Sequence, residues 1–370
     1  MTTTHAHSIL TSVDMAGLRL ANRFAVAPMT RVTATPEGLA TPDMAAYYAG
    51  FATGGFGLLI TEGLYTDQAH SQGYLNQPGL ADDAQARSWA PLVAAAHDAG
   101  ARVVAQIMHA GALRQGSRFC DHGVAPSAIK PKGNQMVFYY GAGGYDLPRE
   151  ISETQLEAAI EGFVDAARRA VEIAGFDAIE IHGANGYLLD QFLTLGTNQR
   201  DDRWGGETAN RVRLLTEVVK RVKAVVAGRV PVGIRISQGK VNDFHAKWEN
   251  GEADAKVIFE ALATAGVDFL HVTEFEAWQP AFEGNPATLA ELAKKYAPGV
   301  TLIVNGSLHD LGRAGQLIEA GADIVAMGRG ALANPDMPRR VQSNAALREF
   351  DSAILGPIAD IKASELALRT

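Results

Sequence analysis

Short apolar runs alternate with amphipathic segments along most of this 370-residue chain. The runs are nearly free of polar residues, as expected for parallel strands that are buried on both faces. Eight strand-and-helix units in a chain of this length are typical of an α/β fold of the (β/α)8 kind, the TIM barrel. An open doubly wound sheet is the alternative, but no G-x-G-x-x-G motif follows the first run. The predicted strands are 23–29, 57–61, 103–108, 178–181, 230–236, 268–272, 300–304 and 323–327.

Helix-start signals follow several of these strands. Thr41 can cap a helix that has Pro42 in its first turn, where the missing backbone N–H of proline is not needed. Ser152 and Gln155 have the spacing of a capping box, in which each side chain binds the other residue's backbone N–H. The predicted helices are 41–53, 82–100, 152–174, 208–227, 252–265, 286–296 and 310–320, with further helical sequence from about Pro335.

One stretch interrupts the alternation. Residues 111–148 follow the third strand, lack helical periodicity and are rich in Gly, Pro and Tyr. Because the active face of a barrel is built from the loops that follow its strands, we expect a lid-like insertion over the C-terminal face. No linker indicates a second compact unit, so residues 1–370 are interpreted as a single barrel domain that contains the insertion, with residues 1–8 as a loose tail.

Charge and cysteine content argue against several classes of function. A net charge of −8 disfavours nucleic acid or an anionic membrane surface as the main partner. With Cys120 as the one cysteine, an internal disulfide, a zinc site of paired cysteines and a cysteine-ligated iron–sulfur cluster are excluded, and no metal site is predicted. The sequence shows neither a signal-peptide pattern nor an apolar run of about 20 residues. We expect a soluble, cytoplasmic protein that acts on a small molecule.

The end of the fourth strand carries an unusual group of polar residues. His182, Asn185 and Tyr187 stand close together, separated by glycines that permit a sharp turn. Active residues of a barrel lie at the C-terminal strand ends. Three hydrogen-bonding side chains of different type at one strand end indicate a binding site for a polar group, with a phenol placed to donate a proton.

The ends of the last two strands suggest a phosphate site. Gly306 and Ser307 follow strand seven, and Gly328 and Arg329 follow strand eight. Backbone N–H groups and an arginine fork bind a phosphate dianion well, and many barrels hold phosphate at this position. Tight packing of the strands into their turns is the alternative explanation for the glycines.

Two further polar residues lie within apolar strands. Arg235 in strand five requires a partner, because an unpaired buried charge is costly. A structural ion pair with Glu180 on the neighbouring strand is one possibility, and a ligand that becomes anionic is the other. Gln106 in strand three can both donate and accept, whereas His271 in strand six is interpreted as structural. Together with a phosphate site, these residues suit a heteroaromatic ring with a phosphate tail, such as flavin mononucleotide (FMN).

Several motifs resemble those of the Old Yellow Enzyme family of FMN-dependent NAD(P)H oxidoreductases. The resemblance extends from Asn22 to about Arg340, which is nearly the whole chain, and HGANGYLLDQFL is its most specific part. The other motifs include NRFAVAPMTR (22–31), QIMHAG (106–111), NQRDDRWGG (198–206), VGIRIS (232–237) and GRGALANPD (328–336).

The resemblance implies roles for individual residues. His182 and Asn185 would bind the activating oxygen of the substrate, and Tyr187 would donate a proton. Gln106 would bind the pyrimidine edge of the flavin, and Arg235 would lie beside its N1 and O2 atoms. The complete set of implied cofactor-binding residues is Pro28, Met29, Thr30, Gln106, Arg235, Gly306, Ser307, Gly328 and Arg329.

The implied activity is reduction of the activated C=C bond of α,β-unsaturated carbonyl or nitro compounds. Hydride would pass from NADPH or NADH to FMN, and then from flavin N5 to the substrate, with protonation by Tyr187. An FMN-dependent oxidation at a C–N bond, as in amine demethylases, is the alternative within flavin chemistry. A non-redox phosphate-binding barrel is a further alternative, for which Glu62 and Lys240 are the candidate catalytic residues. A homodimer is also plausible from the family.

Two features depart from the pattern of many members. Ala112 stands where those members have an arginine, and residues 238–282 differ from the usual sequence after the fifth strand. Because such loops shape the substrate pocket, the choice of substrate is not implied by the resemblance.

Overall fold

Eight parallel strands close into a barrel in the computed structural model, which describes residues 8–368. Pairing of Val325 with Phe24 joins the last strand to the first and completes the closed sheet. The predicted (β/α)8 barrel is therefore confirmed, and the open sheet is wrong. The barrel strands are β1 (Phe24–Val26), β2 (Leu58–Ile60), β3 (Arg102–Met108), β4 (Ala178–Asn185), β5 (Val232–Lys240), β6 (Phe269–Thr273), β7 (Thr301–Asn305) and β8 (Ile324–Met327).

Helices between and after these strands surround the barrel. The predicted caps are present, because Thr41 accepts from the backbone N–H of Met44, and Ser152 and Gln155 form a capping box. The main helices are α1 (Pro42–Thr53), α2 (Asp83–Asp98), α3 (Glu153–Arg169), α4 (Arg213–Val226), α5 (Glu252–Ala265), α6 (Leu289–Tyr296), α7 (Leu311–Glu319) and α8 (Met337–Gln342). Shorter helices span Leu188–Leu193, Thr208–Arg211, Arg329–Ala333 and Ala363–Ala367.

Some predicted boundaries are wrong. The residues 286–288, predicted as the start of a helix, belong to the strand Asn285–Thr288, which pairs with Pro280–Phe282 in a hairpin. Helix α6 begins only after Thr288, whose hydroxyl caps it. Strand β5 continues to Lys240, beyond its predicted end at residue 236. Most of the predicted tail, residues 1–7, lies outside the described residues.

A hairpin closes the N-terminal end of the barrel and leaves the other end open. Its strands, Val13–Met15 and Leu18–Leu20, bury Met15 and Leu20 against the residues that fill the barrel interior at that end. The cavity described below therefore opens at the carboxyl ends of the strands, the active face of this fold. No helix within residues 8–368 is long and apolar enough to cross a membrane.

Candidate active site

A cavity of about 420 Å³ lies at the carboxyl ends of the strands. Every residue that the sequence analysis assigned to the flavin or substrate site lines it, although these residues come from six different strands and the loops that follow them. They are Pro28, Met29, Thr30, Gln106, His182, Asn185, Tyr187, Arg235, Gly306, Ser307, Gly328 and Arg329.

One side of the cavity has the features of a phosphate site. Gly306 has φ +145°, and a Cβ atom there would lie 2.2 Å from the carbonyl oxygen of Glu274, so this position requires glycine. Arg329 donates to the Ser307 hydroxyl at 2.9 Å, which links the loops after β7 and β8. Arg329 is exposed, and its guanidinium has further donors that an anion can use.

Arg235 is held with part of its guanidinium free to bind a ligand. One terminal nitrogen donates to Oδ1 of Asn305 at 2.9 Å, while the buried Nε has no hydrogen-bond partner within residues 8–368. Burial lowers the pKa of Arg235 to about 10, with Glu180 acting in the opposite direction, so the side chain is still charged at neutral pH. A buried cation with an unused donor suits an anionic ring edge.

Glu180 does not form the direct ion pair with Arg235 that was considered from the sequence. Its two carboxylate oxygens accept instead from Nε2 of Gln106 and from Nδ1 of His271, each at 2.7 Å. Burial acts to raise the pKa of Glu180, but His271 and Arg235 outweigh it and hold the pKa below its usual value. Because the amide nitrogen of Gln106 faces Glu180, the carbonyl oxygen of Gln106 points away from Glu180 and can accept from a ligand N–H. His271 is fully buried, and its structural role stays a prediction.

His182 is prepared to act as a neutral donor. The backbone N–H of Ala184 donates to its Nδ1 at 3.3 Å, which leaves the ring proton on Nε2. Burial, together with the nearby charge of Arg235, lowers the pKa of His182 well below 6.5. The ring packs edge-on against Tyr187, with centroids 4.9 Å apart.

Tyr187 is nearly buried and has a phenolic partner. Its hydroxyl oxygen lies 2.5 Å from that of Tyr74, which sits in the loop after β2 and is fully buried. Burial raises the pKa of Tyr187 to about 12, and the hydrogen bond with Tyr74 acts in the opposite direction. The phenol is therefore protonated at neutral pH and can serve as an acid.

The sequence-based reasoning did not identify several residues at this site. Tyr74 follows a glycine in a loop without periodicity. Its position in a loop after a barrel strand was the only sequence feature that could have marked it as a site residue. Phe244 and Phe275 line the mouth as an exposed aromatic pair, with ring centroids 5.5 Å apart. Both lie within residues 238–282, the region whose sequence departs from the pattern of many family members. Leu355 reaches the cavity from the C-terminal segment, for which no local signal existed.

The donor set fits FMN. Arg235 offers a cation to one edge of a ring, Gln106 offers an acceptor to an N–H group, and the loops after β7 and β8 offer a phosphate grip. The alternative of a non-redox barrel receives less support, because the described residues that line the cavity include Lys240 but not Glu62. Within residues 8–368 no group of three or more His, Cys, Asp or Glu side chains is arranged to hold a metal, and the absence of a metal stays a prediction.

Comparisons with known proteins agree with this site. Residues 9–348 match the model of the NADH:flavin oxidoreductase / NADH oxidase family. The chain is 33% identical over 346 residues to a probable flavin mononucleotide-dependent alkene reductase of Leishmania infantum, covering 91% of each chain. It is 32% identical to the NADH oxidase of Thermoanaerobacter brockii, of whose length it spans 56%.

A solved structure shows the same relationship at the level of the fold. The old yellow enzyme homologue from Zymomonas mobilis superimposes with a TM-score of 0.87 at 29% identity, over 98% of this chain and 99% of that one. The family match, the alkene reductase and the shared fold all lead to one assignment. The chain belongs to the NADH:flavin oxidoreductase / NADH oxidase family, the Old Yellow Enzyme family of FMN-dependent NAD(P)H oxidoreductases.

Proposed function

We propose that this chain reduces the C=C bond of α,β-unsaturated carbonyl or nitro compounds, with His182 and Asn185 binding the activating oxygen and Tyr187 donating the proton. Family membership supports an FMN-dependent ene-reductase that uses NADPH or NADH. The observation that carries the residue roles is that a neutral histidine, an amide and a protonated phenol line the same cavity as the flavin-binding set.

FMN, when bound, supplies hydride transfer, by which a hydride from the nicotinamide reaches the substrate β-carbon. Arg235 and Gln106 would hold the ring, and Gly306, Ser307, Gly328 and Arg329 would hold the phosphate. The strand-end residues Pro28, Met29 and Thr30 line the cavity and would pack along the flavin. Arg235 carries positive charge to the ring edge, where a reduced flavin is anionic.

The remaining steps belong to side chains of the protein. As the hydride adds to the β-carbon, the C=C electrons move toward the activating oxygen and negative charge develops there. The Nε2–H of His182 and the amide of Asn185 can donate to that oxygen, which lowers the energy of the charged state. Tyr187 then gives its proton to the α-carbon, so that hydride and proton together saturate the bond.

An oxidation at a C–N bond uses the same cofactor, but no feature of the cavity specifically favours it. A phenolic acid beside two donors to an oxygen suits the reduction of an activated double bond. We therefore retain the ene-reductase as the proposed function.

The lid role of residues 111–148 is part of the proposal. Met136, Phe138 and Tyr139 from this insertion line the cavity. Asn242, in the loop after β5, donates to the carbonyl oxygen of Lys132 at 3.1 Å, so the two segments are joined across the mouth.

We also propose a single domain, a cytoplasmic location, no nucleic-acid partner and a homodimer, on the evidence of composition and family.

The first experiment is an absorption spectrum of the purified protein, followed by NADPH without air and then by 2-cyclohexenone. We expect a flavin band near about 450 nm that bleaches with NADPH and returns with the enone. In Tyr187→Phe the bleaching should persist, while the return should slow by about 10²- to 10⁴-fold. Absence of a flavin band after reconstitution with FMN would overturn the proposal. Bleaching without return would redirect it to another acceptor.

A further inference from the structure

The turn that carries Asn185 and Tyr187 has a backbone conformation that needs external support. Asn185 has φ +63° and Gly186 has φ +87°, so two consecutive residues lie in the left-handed region. A left-handed asparagine is tolerated but not preferred. The direction of both the Asn185 and the Tyr187 side chains depends on this turn being kept.

Strand β5 supplies much of that support through its unpredicted extension. The Ser237 hydroxyl accepts from the backbone N–H of Asn185 at 2.8 Å. The backbone N–H of Val241 donates to the carbonyl oxygen of Asn185 at 3.1 Å. Lys240 is paired with Asn185 after a shift in the register between β4 and β5. Both backbone groups of Asn185 are therefore bound by the end of β5 and the residue that follows it.

Asp190 holds the next residue of the turn. Its Oδ2 accepts from the backbone N–H of Gly186 at 2.6 Å, and its Oδ1 accepts from the ammonium of Lys240 at 2.7 Å. The Asp190 side chain is fully buried, and that of Lys240 is 10% exposed. The Lys240 stem also packs on the turn, because a Cβ atom added to Gly186 would lie 3.2 Å from the Cβ of Lys240.

We propose that Lys240 is a positioning residue, whose ion pair with Asp190 ties the extended end of β5 to the Asn185–Tyr187 turn and so sets the placement of the oxygen-binding amide and the proton donor. A buried ion pair is at best weakly stabilising compared with an apolar replacement, so its presence beside a reactive cavity indicates a geometric role. This inference rests on the proposed roles of Asn185 and Tyr187.

The test measures the two ways in which the reduced enzyme is reoxidised. In Lys240→Met we expect reoxidation by 2-cyclohexenone to slow by about 10- to 100-fold, the effect of a displacement of about 1 Å at a reacting group. Reoxidation of the same enzyme by dioxygen needs neither Asn185 nor Tyr187, and it should stay within about twofold of wild type. Lys240→Arg should recover most of the enone rate, because it keeps a cation for Asp190.

A double variant separates positioning from simple charge neutralisation. Lys240→Met/Asp190→Asn removes the unpaired buried carboxylate but leaves β5 untied from the turn, so it should remain slow with the enone. Full recovery in the double variant would overturn the proposal, because it would reduce Lys240 to a counter-ion. Lys247→Met is the matched control, since the side chain of Lys247, in the loop after β5, is 44% exposed in its ion pair with Glu274, which follows β6, and exposed lysine pairs contribute about 0–1 kcal/mol.

The outcomes also distinguish this inference from the proposed function. A wild-type protein that binds no FMN, or that is not reoxidised by the enone, would contradict the proposed function itself. An active wild type, with Lys240→Met as fast as Lys247→Met, would overturn only the role of Lys240. Should Lys240→Met fail to fold, Lys240→Gln takes its place and is compared with wild type at saturating and limiting enone, because loss of the positioning ion pair predicts a lowered kcat.

Discussion

The phenolic oxygens of Tyr74 and Tyr187 lie 2.5 Å apart, inside a cluster of buried residues beside the cavity. When Tyr187 gives up its proton it becomes a phenolate, and the hydroxyl of Tyr74 can then donate to that charge. Tyr74→Phe should therefore slow reoxidation by an enone about 10- to 100-fold, the effect of a hydrogen bond of about 1.5–3 kcal/mol to a charged group.

The same variant should reduce FMN with NADPH at the wild-type rate, since that step needs no proton from Tyr187. Stopped-flow absorbance resolves the two half-reactions. Tyr145→Phe is the control, because Tyr145 is buried in the same cluster but, within residues 8–368, the hydroxyl of Tyr187 is hydrogen-bonded to Tyr74 and not to Tyr145. Equal loss in both variants would exclude a specific role for the Tyr74 hydroxyl.

Substrate binding should be insensitive to pH as far as His182 is concerned. Burial and Arg235 keep the pKa of His182 well below 6.5, so the imidazole stays neutral between about pH 6.5 and pH 8. We expect the Kd of an enone for the oxidised enzyme, measured from the flavin spectrum, to be constant over this range in wild type. A transition that disappears in His182→Asn would show instead that His182 titrates there.

Glu62 should make folding stability fall as pH rises. The carboxyl group is fully buried, and one of its oxygens has no hydrogen-bond partner within residues 8–368. Burial raises its pKa from 4.5 to about 7, with Arg31 acting in the opposite direction. Because the folded state keeps the proton more tightly, the stability that this proton confers is present below about pH 4.5 and is lost as pH rises to about 7.

The expected size of this effect is on the order of 3 kcal/mol. To isolate the effect of Glu62, the free energy of unfolding is measured for wild type and Glu62→Gln. The two measurements are made below and above the pH range in which Glu62 loses its proton. Wild type should lose stability relative to Glu62→Gln on going to the higher pH. A difference in unfolding free energy between the two proteins that does not change with pH would contradict the raised pKa of Glu62.

Removing one partner of the buried pair of Arg31 and Glu365 should strongly destabilise the fold. Nη1 of Arg31 donates to Oε2 of Glu365 at 2.6 Å, and both side chains are almost completely buried. In Glu365→Gln the arginine charge loses its counter-ion, and removing one partner of a buried pair costs about 3–5 kcal/mol. Thermal unfolding should show this loss, whereas Glu349→Gln, an exposed change in the same segment, should leave the melting temperature unchanged.

Local chemistry explains which parts of the fold could be predicted from the sequence. The starts of α1 and α3 were predicted because Thr41 and Ser152 bind N–H groups only three residues away. The strands were predicted because both of their faces are apolar. Residues 286–288 of the hairpin were assigned to a helix because its pairing is made between short segments without a strong alternating pattern.

The site residues that lie at or just beyond the strand ends could be predicted from the sequence. The barrel places those ends together, so all the residues proposed for the flavin and substrate sites meet at one cavity. The hydrogen bond of Tyr74 to Tyr187 and the ion pair of Lys240 with Asp190 were not predicted, because the partners lie 113 and 50 residues away in the sequence. The Arg31–Glu365 contact joins residues that are 334 positions apart, and no periodicity or motif spacing in the sequence predicts such a contact.

The junction between β8 and β1 joins two parts of the proposed flavin site that lie at opposite ends of the sequence. Gly328 and Arg329, proposed to bind the phosphate, follow β8, and Pro28 to Thr30, proposed to line the flavin, follow β1, so the two parts meet only where this ladder is formed. A chain in which this ladder is open would lack a complete flavin site, so FMN should bind selectively to the closed barrel and report its closure.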